Sequence, residues 1–239
     1  MVVIIANTQM NTRVIIILLA IVLTAFAACK KSSDAPVANY STYLNFVNAS
    51  ADSVNYYLNG TRLNSNSNLY PQYTSGYVSV LAFTQNYQVK KVFNTASSTV
   101  QPLFTLPLNL DTGKYYSLFI AGESASLAFK TQDDLKADTL RGTCLVRFVN
   151  ASPDAAGYDL VVGSAPKFAG LAFGTAGDFR LADTSSLAPV TLYPAGSSTP
   201  IARGNLTLLQ GKSYTIYTTG KLNGTGGSAL SLAVMINYN

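Results

Sequence analysis

The chain has no histidine and no tryptophan, a single glutamate at Glu123, and only two cysteines, Cys29 and Cys144, among its 239 residues. Without histidine there is no Ser-His-Asp or Cys-His nucleophile system, and no histidine-based zinc or iron centre. Charged residues are scarce too, at 11% against roughly 25% in an average globular protein. The 48% hydrophobic content still argues against disorder, because disordered chains are apolar-poor and charge-rich. Ten of the eleven acidic residues are aspartates, most of them in turn-like settings. A glycosidase needs two carboxylates about 5–10 Å apart across a cleft, and no spacing here pairs them. A phosphate loop is missing, since Gly224-Thr-Gly-Gly227 lacks a following lysine and helix. Basic residues are scattered apart from Lys30-Lys31 and Lys90-Lys91, which speaks against nucleic acid as a partner. These absences favour a protein that is not an enzyme and needs no cofactor. A hydrolase working through aspartates is the catalytic alternative.

What is present begins with a leader. Arg13 precedes an uncharged run of 15 residues, Val14 to Ala28, with Met10 as a second possible start. A membrane-spanning helix needs about 20 apolar residues, so this length suits the core of an export signal. Phe26-Ala27-Ala28-Cys29 resembles the lipobox of bacterial lipoproteins, with Phe26 where leucine is usual. The resemblance implies cleavage before Cys29 and lipidation of its thiol. Each buried CH₂ of an acyl chain contributes about 0.8 kcal/mol, so two or three chains anchor a protein to the membrane. The alternative is ordinary secretory cleavage with Cys29 incidental. If Cys29 carries lipid, Cys144 is the only thiol left and no intramolecular disulfide can form. Residues 29–40 then read as the anchor and a polar tether, in which Lys30-Lys31 either touches anionic headgroups or is simply solvated. In enterobacterial lipoproteins an aspartate after the cysteine retains the protein in the inner membrane. Lys30 stands there instead, which implies a cell-envelope protein of the outer membrane, on its periplasmic face or at the cell surface.

The body contains an internal repeat. Asn45-Phe-Val-Asn-Ala-Ser-Ala-Asp52 returns 102 residues later as Arg147-Phe-Val-Asn-Ala-Ser-Pro-Asp154, and Tyr56 and Leu58 match Tyr158 and Leu160. Leu108-Asn-Leu-Asp-Thr-Gly-Lys-Tyr-Tyr116 returns 98 residues later as Leu206-Thr-Leu-Leu-Gln-Gly-Lys-Ser-Tyr214. Shared ends with middles of different length indicate a duplicated domain. The boundaries are 1–28 for the signal, 29–40 for anchor and tether, 41–130 for repeat 1, 131–142 for a charged linker and 143–239 for repeat 2. Tyr, Thr and Val runs between Gly and Asn turns predict about seven strands per copy. The first copy offers 42–47, 53–58, 76–83, 87–93, 100–108, 114–121 and 124–129. The second offers 143–149, 158–162, 168–173, 187–193, 204–209, 213–219 and 229–238. The last run alternates, placing Leu230, Leu232, Val234, Ile236 and Tyr238 on one face. About 100 residues with seven strands is the size of an immunoglobulin-like sandwich. The fold class expected is all-β, two tandem immunoglobulin-like β-sandwich domains after a lipoprotein signal peptide and short tether.

Val146-Arg-Phe-Val-Asn-Ala-Ser-Pro-Asp-Ala155, Gly170-Leu-Ala-Phe-Gly174 and Gly211-Lys-Ser-Tyr214 resemble a bacterial family catalogued as an extracytoplasmic domain of unknown function. The resemblance covers nearly all of the second copy and the two ends of the first. It implies secreted or lipid-anchored β-sandwich units and carries no activity or site residues.

Two features have a functional and a plainer reading. Asn48, Ser50 and Asp52, with Asn150, Ser152 and Asp154, place oxygens at alternate positions, as some calcium loops do. The plainer reading is an Asx or Ser turn in which the aspartate closes onto backbone amides. Tyr56, Tyr57, Tyr70, Tyr73, Tyr77 and Tyr87 could present rings to a sugar or a protein, or fill a core by alternation. Cys144, in an alternating run, reads as a core or edge filler. The chain is thus expected to be a non-catalytic, lipid-anchored envelope protein for ligand binding or adhesion, with the membrane and a glycan or protein as partners. The alternative is a structural or accessory subunit of an outer-membrane complex. Mass spectrometry of the native protein is expected to show a chain beginning at an acylated Cys29, and Cys29→Ser to leave the membrane fraction. A retained leader or an unmodified thiol contradicts this.

Overall fold

A computed structural model describes residues 40–64, 67–92, 102–122, 127–133, 141–164 and 167–238. The leader, Cys29 and the tether lie outside the described residues. Strands form where β-branched and aromatic side chains alternate with polar ones, so that each ladder has a face to bury. The first repeat contributes β1 (Ser41–Asn48), β2 (Val54–Leu58), β3 (Thr61–Arg62), β4 (Thr74–Leu81), β5 (Phe83–Lys91), β6 (Pro102–Leu110), β7 (Tyr115–Ala121) and β8 (Leu127–Gln132). The second contributes β9 (Thr143–Val149), β10 (Tyr158–Val162), β11 (Lys167–Leu171), β12 (Arg180–Asp183), β13 (Ser185–Pro194), β14 (Ala202–Leu208), β15 (Ser213–Thr219) and β16 (Ser231–Tyr238).

Each repeat is a sandwich of two four-stranded sheets. The first pairs β4-β1-β7-β8 with β3-β2-β5-β6, and the second pairs β12-β9-β15-β16 with β11-β10-β13-β14. Strand for strand the order is the same. In both copies the first strand pairs parallel with the seventh, β1 with β7 and β9 with β15. The fold is therefore two tandem immunoglobulin-like β-sandwiches, with eight strands per copy among the described residues instead of the seven read from the sequence. The strands that were missed, β3 and β12, have two and four residues, too short to display alternation. β8 runs to Gln132 and Asp133 is buried, so the start of the segment read as linker belongs to the first sandwich.

Each sandwich has its own core. Leu44, Phe46, Tyr56, Tyr87, Leu118 and Ile120 fill the first, and Val146, Phe148, Tyr158, Leu160, Leu192 and Ile216 fill the second. Each such side chain contributes about 1.5–3 kcal/mol on leaving water. A third cluster joins the copies: Val47, Ala49, Phe119, Val149, Ala151 and Tyr217 come from the opposite faces of β1, β7, β9 and β15. The sheet β4-β1-β7-β8 therefore stacks on β12-β9-β15-β16, and their central strands β1, β7, β9 and β15 are buried on both sides. Phe119 and Tyr217 meet edge-on with ring centres 5.6 Å apart, and the Tyr217 hydroxyl donates to the Gln72 carbonyl at 2.9 Å.

Toward the start of β1 and β9 the same interface turns polar. Arg147 on β9 is 2% exposed and forms an ion pair with Asp133, 3% exposed, just past β8. Its Nε donates to the Thr215 hydroxyl at 2.8 Å and its Nη1 to the Gln132 carbonyl at 3.1 Å. Asp133 also accepts from the Tyr77 and Ser117 hydroxyls at 2.6 Å each and from Thr131 at 3.1 Å. Burial and the adjacent Asp133 charge push the Tyr77 hydroxyl far above its ordinary pKa, so it stays a donor. The repeat places Arg147 where the first copy has Asn45, so the pair belongs to one orientation of the interface only.

Removing one member of a buried pair leaves an uncompensated charge and costs about 3–5 kcal/mol. Arg147→Met is expected to lower stability by that order in urea unfolding, and Arg147→Met with Asp133→Leu to recover much of it. A single variant within about 0.5 kcal/mol of the parent contradicts the role given to the pair.

Candidate functional site

The two Asn-Ala-Ser-x-Asp segments leave β1 and β9 at the same end of the molecule. Asn48 Nδ2 donates to the Asp52 and Leu69 carbonyls at 2.7 and 2.9 Å, and its Oδ1 accepts from the Ser50 amide and hydroxyl at 3.1 and 2.7 Å. Asn150 Nδ2 donates to the Leu171 carbonyl at 2.9 Å, while its Oδ1 accepts from the Ser152 amide and the Thr218 hydroxyl at 3.0 Å each. Each segment is thus an Asx turn closed onto its own backbone. The aspartates diverge. Asp52 pairs with the Lys91 ammonium at 2.7 Å, whereas Asp154 accepts from the Leu222 and Asn223 amides at 2.8 and 3.2 Å. Partial burial pushes the Asp154 carboxyl up, but these amide bonds and the Ser152 hydroxyl outweigh it and hold the group below its ordinary pKa. Asp154 thereby pins the 220–229 loop. Gly220, at φ +69, turns that loop where a Cβ would lie 2.3 Å from the Ala229 carbonyl oxygen. Among the described residues no three His, Cys, Asp or Glu side chains gather as a metal-binding group.

The tyrosines divide by face. Tyr56 and Tyr87 are buried in the first core, and Tyr77 belongs to the inter-repeat network. Tyr57 lies under the Lys90 ammonium, 4.2 Å from its ring centre. Tyr70 and Tyr73 remain exposed and meet edge-on at 6.2 Å, in the loop before β4. Cys144 is buried in the second core.

That tyrosine loop borders the main groove. A cavity of about 560 Å³ opens along the seam between β14 and β16, the edge strands of the second sandwich. Its floor is Val190, Leu206, Ile216, Leu230 and Leu232, and Arg203, Asn205 and Ser231 supply polar groups. Gln72 and Tyr73 of the first repeat close one end, so both copies build it. Gln72 adopts φ +68, a strained value for a side-chain-bearing residue, and its backbone is held by the Asn48 carbonyl and the Tyr217 hydroxyl. The volume falls within the roughly 300–1,000 Å³ of small-molecule sites, and the mixture of apolar floor and few polar groups is typical of them. The alternation of β16 did place Leu230, Leu232, Val234 and Ile236 on one face. Sequence reasoning missed that Val234 and Ile236 would stay exposed, because the seam is closed or open by virtue of β14, a distant strand.

The corresponding seam of the first sandwich, between β6 and β8, is bridged by a side chain. Lys130 on β8 crosses its seam, donating to the Asn109 carbonyl of β6 at 2.6 Å and lying 4.8 Å over the Tyr116 ring. Lys130 pairs with Leu118 as Val234 pairs with Ile216, so the second copy has valine where the first has its bridging lysine.

Fold and groove define a tandem β-sandwich protein with a ligand-sized cleft on its second unit. The chain belongs to the family described as a domain of unknown function, DUF4397, which matches it twice, over residues 42–156 and 144–237. No curated protein matches the sequence. Among solved structures the chain is similar to a family 26 carbohydrate-binding module from Eubacterium rectale Amy13K in complex with maltoheptaose, at 9% identity and TM-score 0.25, covering 80% of this chain and 96% of that one. It is also similar to a provisionally assigned cell adhesion protein from Bacteroides eggerthii, at 10% identity and TM-score 0.26, covering 84% and 96%. The Bacillus anthracis TIE protein is a third, at 7% identity and TM-score 0.24, covering 82% and 44%. Scores this low carry no argument about function.

Because the folded-state pKa of Asp154 is depressed, its stabilisation is present above the unfolded value and is lost as pH falls through the folded one. The stability difference between the parent and Asp154→Asn is therefore expected to shrink between about pH 6 and pH 3 in denaturant titrations. A difference independent of pH contradicts this capping role.

Proposed function

We propose that this protein is a non-catalytic, lipid-anchored cell-envelope binding protein that takes an extended ligand, most simply a glycan chain, in the β14–β16 groove. The observation that carries the reading is the groove itself, with the exposed Tyr73 ring at its end and Arg203, Asn205 and Ser231 along an apolar floor. Tyrosine faces stack on the apolar faces of sugar rings, and the polar side chains match hydroxyl groups. The aspartates support a non-catalytic reading: Asp52, Asp133, Asp154 and Asp159 are each engaged by a cation or by backbone amides. Lipidation at Cys29 and an outer-membrane location follow from the lipobox-like segment and Lys30.

A second reading, an accessory subunit of an outer-membrane complex, is favoured by the aliphatic floor between two edge strands, which also suits an extended polypeptide. Glycan-array binding followed by calorimetry separates the two. Tyr73→Ala and Arg203→Ala are each expected to weaken binding about 10-fold or more, the order found when a central aromatic or arginine contact is truncated. Binding unchanged in both variants removes the groove from the reading. Recovery of one stable envelope protein, with no glycan bound, favours the accessory role.

A further inference from the structure

We infer that the end of the body at which the tether enters is a membrane-contact face that seats on the lipid interface and holds the groove away from it. This inference rests on the proposed anchoring at Cys29. Six large apolar side chains, Tyr40, Leu81, Phe83, Leu181, Leu187 and Leu209, are 49% to 67% exposed. They share one end of the molecule. In the first sandwich the Ala82 amide donates to the Tyr40 carbonyl at 2.6 Å and the Gly113 amide to Ser41 at 2.8 Å, which brings together the start of β1, the β4–β5 bend and the β6–β7 turn. In the second sandwich the Thr184 amide donates to Gly142 at 2.9 Å and the Gly211 amide to Thr143 at 3.2 Å, joining the equivalent segments. The two ends point the same way. The Arg147–Asp133 pair joins the copies near this end, and the Gly220 amide reaches the Ala49 carbonyl at 3.4 Å at the other.

Phe83 gives this face its second distinguishing feature. It sits at φ +68, a true outlier for an aromatic residue, and its ring lies exposed, 5.5 Å from that of Tyr40. Strained backbone of this kind persists only where its surroundings impose it, and such sites cluster at ligand clamps and switch regions. The occupant is named by the chain itself. Cys29 lies eleven residues before Tyr40, and eleven residues span at most about 40 Å when fully extended. An acylated Cys29 therefore holds the Tyr40 end within about 40 Å of the bilayer, where tyrosine, phenylalanine and leucine partition into the interface. Among the described residues Lys114, Arg141 and Lys212 share this end with Asp111 and Asp183, so their charge is nearly balanced and apolar burial carries the contact. The Gln72–Tyr73 end of the groove lies at the opposite, distal end.

The chain has no tryptophan, so Phe83→Trp, Leu81→Trp and Leu222→Trp each carry one fluorophore, the last at the distal end. Each full-length variant, purified from membranes with Cys29 acylation checked by mass, is reconstituted in phosphatidylcholine vesicles with and without brominated acyl chains. Phe83→Trp and Leu81→Trp are expected to shift to the blue and to be quenched about twofold or more, with Leu222→Trp unaffected. Replacing part of the lipid by an anionic one is expected to change little. If Phe83→Trp does not fold, Leu81→Trp gives the same reading alone. Equal quenching at both ends, or at neither, in acylated protein overturns the proposal and leaves the anchor standing. An unacylated Cys29 overturns the anchor and this inference together, and the mass spectrum tells the two failures apart.

Discussion

The inner sheets of the two sandwiches cover one another, so β1, β7, β9 and β15 have no solvent face. That constraint governs the composition of both copies. On one side of each strand stand ordinary core residues such as Leu44 and Phe46 or Ile216. On the other stand residues that must fit a second protein surface: Val47, Phe119 and Tyr217 at one end, Arg147, Ser117 and Thr215 at the other. A charge can be tolerated there only because Asp133 and a shell of hydroxyls meet the guanidinium. The cost of burying the pair is large, and what it secures is a unique orientation, since only one copy has arginine at this position. Two beads on a string would have no need of it.

Fixed orientation completes the groove. Tyr73 belongs to the first copy and the β14–β16 seam to the second, so that end of the cleft is closed only while the copies keep their register. Divergence after duplication does the rest. Lys130 spans the first seam through its ammonium and ring contacts, and Val234 has neither the length nor the charge to span the second. One substitution class, a long cation against a branched aliphatic, distinguishes the bridged seam from the grooved one.

The same geometry sets two poles. The strained Phe83 lies with Tyr40 and Leu81 at one end, and the Asn-Ala-Ser-x-Asp turns and the tyrosine loop lie opposite. Family membership adds no assigned activity, so the functional reading stands on these poles and on the groove between them.

Local chemistry alone determined much of this. Period-two alternation located fourteen of the sixteen strands among the described residues, the repeated Phe-Val-Asn-Ala-Ser and Gly-Lys segments revealed the duplication, and Asn48 and Asn150 declared their turns, because each signal involves neighbours within a few residues. The face-to-face stacking of the inner sheets was not legible. An outward residue such as Phe119 or Arg147 looks the same in sequence whether water or another sheet covers it. The groove was hidden for a similar reason: Gln72, Arg203 and Leu232 are far apart in sequence, and only packing between distant strands brings them to one cleft.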